Sequence, residues 1–113
     1  MLEYKYGKFD EEQFEGAKQH IRKQIYFLLL IVDENTKGDY PNIIVEEAFN
    51  NVFNYLNGLN ELLLYPPELV RIISLLNTAL IEYKKDDFEF SVYRKLILDA
   101  GCEVLNIKVK EVV

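Results

Sequence analysis

Four glutamates raise the question of chemistry. Glu12 and Glu15 stand three apart, and Glu46 and Glu47 are adjacent. Helical carboxylates one turn apart can share a divalent cation, and some helical-bundle enzymes hold magnesium in this way. Both pairs fall in what reads as a first helical turn, where acids are favoured by the helix dipole alone. No second acidic cluster is set opposite them by any readable pattern. A metal-dependent phosphohydrolase using Glu12, Glu15, Glu46 and Glu47 is therefore the enzyme alternative, and it rests on analogy between folds.

The stretch 33–44 carries a partial calcium pattern. Asp33, Asn35 and Gly38 match positions one, three and six of an EF-hand loop. Lys37 stands at position five and repels a cation. Pro41 stands at position nine, and Ile44 at position twelve, where a bidentate Glu is needed. A turn and helix cap is the expectation instead. The chain has one His and one Cys, His20 and Cys102. A thiolate–imidazolium pair needs a third orienting group, and none is identifiable. His20 reads as a surface residue among Lys18, Arg22 and Lys23, and Cys102 as a small packed thiol. An ordinary structural zinc site needs more Cys and His than the chain holds. No cofactor, no metal and no catalytic residue is expected.

Composition sets the class. Of 113 residues, 50% are hydrophobic, with three Pro and five Gly. That is enough apolar material for one domain, 1–113, with its own core. Thirteen Lys and Arg against 19 Asp and Glu give a net charge of −6. An acidic chain repels phosphate backbones, so direct nucleic-acid and anionic-membrane binding are disfavoured. The single cysteine excludes an internal disulfide and fits a reducing cytoplasm.

The elements that must position these residues are helical. Eight consecutive apolar residues, Ile25–Val32, are too few to span a membrane, which needs about 20, and they begin too deep for a signal peptide. Asp10 and Gln13 read as a capping box, with Phe9 and Phe14 as its hydrophobic staple. Phe14, Ala17, Ile21, Ile25, Leu28 and Val32 keep steps of three and four. One long helix over 10–33 is predicted, amphipathic first and apolar all round later. Val45, Ala48, Phe49, Val52, Phe53 and Leu56 predict a second helix, which Gly58 either ends or kinks. Pro66 and Pro67 stop the chain and start a third helix, because Pro suits the first turn. Its buried face is Leu69, Ile72, Ile73, Leu76, Ala79, Leu80 and Tyr83. A fourth, over 88–106 and capped by Asp86 or Asp87, is expected to face inward through Val92, Leu96, Ala100 and Val104. The termini, "LEYKY" and "IKVKEV", alternate in polarity and either pair as a two-stranded ribbon or fray. The fold class is all-α, a compact bundle of about four helices.

Two features point to binding. Asn50, Asn54 and Asn57 recur at steps of four and three, flanked by Asn51 and Asn60. Asn is a poor helix former, so the stripe is either a solvated face or a polar recognition surface. Tyr26, Leu29 and Leu30 on the first helix, and Val70 and Leu75 on the third, lie off the core stripes and are candidates for a protein interface. Tyr4, Tyr6 and Tyr40 also fall outside the stripes, and tyrosine is enriched at interfaces. The expectation is a small cytoplasmic helical protein that binds another protein without catalysis, as an adaptor, inhibitor or immunity or antitoxin-like partner. It is expected to form a homodimer or to engage a protein partner, and the acidic balance suits a basic one.

Overall fold

The computed structural model describes residues 2–4, 7–9, 11–62 and 66–107, with side chains at 14–61 and 66–107. The chain opens with two short antiparallel strands, β1 (Leu2–Tyr4) and β2 (Gly7–Phe9), paired Leu2 to Phe9 and Tyr4 to Gly7. Leu2–Tyr4 thus finds its partner in the next few residues. Of the C-terminal half of the expected ribbon, 107–112, Ile107 is buried in the core, and the remainder lies outside the described residues, as does Asp10 of the capping box. Four helices follow: α1 (Glu11–Leu30), α2 (Val45–Leu62), α3 (Pro67–Tyr83) and α4 (Phe90–Glu103). The all-α bundle read from the sequence is the observed architecture.

Each helix packs on its neighbours in the chain, and α1 closes the ring by packing on α4 more extensively than on α2. The α3–α4 contact is the most extensive. On α1 Phe14, Ile21, Ile25 and Leu28 are buried; the helix ends at Leu30, short of the expected 33, and Ile31 and Val32 are buried in the turn that follows. Phe49, Val52 and Leu56 face them from α2, and Leu69, Ile72, Leu76 and Ala79 from α3. Helix α2 runs unbroken through Gly58. Pro67 sits at the first position of α3, with Pro66 extended as its cap at φ −63° and ψ 137°.

Helix α4 departs from the reading. It starts at Phe90, not 88, and its cap position is Glu89, not Asp86 or Asp87. The inward residues are Tyr93, Ile97, Ala100 and Gly101, followed by Val104 in a terminal 3-10 turn. Val92 is 41% exposed, and Leu96 is half-buried. Ala100 and Val104 face inward as expected, whereas in the first half of the helix the buried positions are Tyr93 and Ile97, one residue on from Val92 and Leu96. Its start is fixed from α3. The buried Glu82 carboxylate accepts the backbone N–H of Glu89 at 3.2 Å through Oε1 and the Lys85 ammonium at 2.9 Å through Oε2.

Those two donors hold the Glu82 carboxyl below its ordinary value, the Lys85 hydrogen bond first and the Glu89 N–H second. A depressed carboxyl stabilises the folded state wherever the unfolded chain would already be ionised. That contribution is complete above the ordinary glutamate value of about 4.3 and is lost as pH falls through the folded value. Glu82→Gln should therefore lower Tm at neutral pH, and the gap to the parent should close in acid. Thermal melts from pH 3 to 8 check this, and a gap independent of pH would contradict it.

Candidate functional site

A concavity lies between α1 and α2. His20, Lys23, Gln24 and Phe27 form one wall, Glu47, Ala48, Asn51 and Val52 the other, and Asn42, Ile43 and Ile44 close one end. It encloses about 560 Å³, within the usual range for ligand clefts. Its apolar surface comes from Phe27, Ala48 and Val52, with Ile43 and Ile44 at the lip, 42% and 58% exposed. Phe27 is held in place by Tyr40, whose ring stands edge-on at 5.1 Å.

Two local features break the ordinary rules. The Ala48 N–H donates to the Ile44 carbonyl at 3.1 Å, so Ile44 occupies the N-cap position of α2. A branched apolar residue is among the poorest N-caps, and this one is also exposed. The second is Gln24, whose Oε1 is buried in the groove wall without a hydrogen-bond partner. Leaving such an acceptor unpaired costs about 1–3 kcal/mol.

The residues proposed for chemistry are not gathered. The His20 ring lies edge-on to Tyr55 at 5.2 Å, while Phe27, further along α1, meets Tyr40 just before α2, so the two helices run antiparallel with position 20 beside 55. Glu15 therefore lies beyond Tyr55 toward the C-terminal end of α2, while Glu46 and Glu47 open its N-terminal end. At 1.5 Å per residue they are about 20 Å apart. Glu15 pairs with Lys18 at 3.1 Å and Glu46 with Lys84 at 3.5 Å. The Glu12 side chain is outside the described residues. Among the described residues no group of three His, Cys, Asp or Glu could hold a metal ion. Cys102 is exposed, and no described hydrogen bond joins it to His20. In the 33–44 loop, Asp33 Oδ1 accepts the Asn35 N–H at 2.9 Å, Lys37 pairs with Glu34, and 37–39 forms a 3-10 turn.

The interface candidates separate into two groups. Leu30 (37% exposed) and Val70 (48%) face solvent. Leu29 and Leu75 are half-buried and pack on the core, and the half-buried Tyr26 ring lies over Gly101 with Arg22 stacked at 5.6 Å. Helices α1 and α3 occupy opposite corners of the bundle, so these five residues do not form one patch. Asn50, Asn54 and Asn57 are all exposed, whereas Asn60 turns inward, buried, with its Oδ1 unpaired. Tyr40 packs on the core, and the side chains of Tyr4 and Tyr6 lie outside the described residues. Sequence reasoning missed the groove. The available signal was "NIIV", two branched apolar residues placed before the first turn of α2.

No helix among the described residues is long and apolar enough to cross a membrane. No family model, curated protein or solved structure matches this chain.

Proposed function

We propose that the chain is a protein-binding module without catalytic activity, and that the α1–α2 groove receives an apolar segment of its partner. The observation that carries this reading is the exposed Ile43–Ile44 lip beside a 560 Å³ groove. Ile44 is held at a capping position where a short polar residue would serve the helix better. Local rules broken at a single exposed place are commonly functional. The rim carries Lys23 and Glu47 and several neutral amides, so orientation comes from hydrogen bonds. The net charge of −6 favours encounter with a basic partner. Adaptor, inhibitor and immunity or antitoxin-like roles all use such a surface, and the proposed setting is cytoplasmic.

Ile44→Asp separates binding from folding. Asp caps a helix well, so the substitution should leave stability unchanged or raise it by up to about 1 kcal/mol. It places a bare carboxylate at the apolar lip, so binding should fall at least about tenfold, given that a buried unpaired charge costs several kcal/mol. A photo-cross-linking residue at position 51, on the groove wall, should give one discrete protein adduct in cells. That adduct should vanish with Ile44→Asp, and a cross-linker at position 95 should give none. An adduct that survives Ile44→Asp, or appears equally from position 95, would contradict the assignment.

A further inference from the structure

We propose that the outer face of the α2–α3 pair is where a second copy of this chain docks. Charge is segregated along the sequence. Of the 13 Lys and Arg and 19 Asp and Glu, only Glu61, Glu68 and Arg71 fall between positions 48 and 81. Arg71 is turned aside, paired with Glu103 near the end of α4. The exposed positions of α2 on this face are Asn50, Asn54 and Asn57, and those of α3 are Val70, Ser74, Asn77 and Ile81. Val70 is 48% and Ile81 62% exposed.

The two stripes form one surface. Glu46, one turn before Asn50, pairs across the helices with Lys84, one turn after Ile81, at 3.5 Å, and both are largely exposed. This bridge marks one end of the face and satisfies its own charges. Between it and Glu61 the surface is neutral over nearly the whole length of both helices.

Charge decides which occupant fits. Two copies carrying −6 each repel one another. A charge-free face is where they can meet without opposing like charges. A two-fold interface uses the same patch on both copies, residue i meeting j and j meeting i. A patch without charges of its own therefore sets no like charges against each other, and its Asn amides, which carry both donors and acceptors, can pair with whichever amide they meet. The side chains of Asn50, Asn54, Asn57 and Asn77 have no partner among the described residues. Size agrees. Helices of 18 and 17 residues span about 26 Å, and two side by side about 20 Å. That is about 500 Å² per copy and about 1,000 Å² in all, the lower bound for a specific interface. A dimer at this size limit is expected to be weak, so it is sought at high concentration. It does not use the α1–α2 groove.

The test is sedimentation equilibrium up to about 200 μM, where an interface at this size limit should be populated. The parent should approach a two-chain mass. The double variant Asn54→Asp/Asn77→Asp should dissociate at least about tenfold more readily, and so should Asn54→Lys/Asn77→Lys, because each sets like charges opposite their copies. An equimolar mixture of the two variants should regain the two-chain mass, which excludes misfolding as the cause. A parent that stays at one-chain mass throughout overturns the proposal. So does a dimer that both double variants leave intact, or variants whose mixture stays monomeric.

Discussion

Tyr93→Phe should cost about 1–3 kcal/mol of folding stability, and Tyr93→Ala about 3–5 kcal/mol. The larger loss approaches the whole stability of many small domains. Tyr93 is fully buried, and its ring is ringed by Phe49, Tyr83, Phe88 and Phe90 at centroid distances of 5.8–6.3 Å. Its hydroxyl donates to the Leu28 carbonyl of α1 at 2.5 Å. That carbonyl needs the donor. Just past the end of α1 the Val32 N–H reaches Leu29 instead, at 3.2 Å, leaving Leu28 without its helical partner. Phe keeps the ring and strands the carbonyl, whereas Ala also opens a cavity. Burial pushes the Tyr93 phenol well above its ordinary value, with Tyr83 adding to it, so the group stays a donor. Above about pH 10 the unfolded chain ionises at this position and the folded one does not. Stability therefore falls with rising pH there, and Tyr93→Phe should remove that share of the alkaline loss. Urea titrations at pH 7 and 10.5 read both effects. A neutral Tyr93→Phe would mean that the Leu28 carbonyl has another donor.

Gly101→Ala should cost about 1–3 kcal/mol, although Ala is the better helix former by about 1 kcal/mol. A Cβ at Gly101 would lie 2.5–2.6 Å from Cε1, Cζ and the hydroxyl of Tyr26. The ring would have to swing away from α4 and leave its stack with Arg22. Gly16 and Gly58 are helical with nothing within 4 Å of such a Cβ. Gly16→Ala and Gly58→Ala should each stabilise by about 0.5–1 kcal/mol. The decisive comparison is Gly101→Ala in a Tyr26→Ala background, where the obstacle is gone and the change should become favourable. Equal effects in both backgrounds would refute the contact as the reason for this glycine. In a double-mutant cycle the difference is the coupling itself.

Much of the bundle was legible because its signals are local. Pro66–Pro67 fixes the start of α3 by chain geometry, and the stripes of α1 and α3 bury as their spacing dictates. Helix α4 was misread because "FSVYRKLILDAGCE" carries two apolar tracks one residue apart. Val92 and Leu96 keep the period as well as Tyr93 and Ile97 do. The choice between them is made by the Leu28 carbonyl, 65 positions away, and by Glu82 reaching Glu89 from the preceding helix. Neither leaves a mark in local periodicity. Tyr26 reads as outward-facing until Gly101 makes room for its ring on α4. The asparagine stripe was visible in the sequence, but its place beside Val70 and Ile81 needed the packing of α2 on α3. Ile43 and Ile44 escaped notice because they precede the periodic positions of α2 and belong to no stripe.

The most direct measurement is an ¹⁵N correlation spectrum of the labelled chain titrated with the protein captured from position 51. Shift changes confined to His20, Lys23, Gln24, Phe27, Ile43 and Ile44, and abolished by Ile44→Asp, are the predicted result. Changes centred instead on Ser91, Lys95 and Asp99 of α4, or spectra that do not respond, would contradict the groove as the binding site.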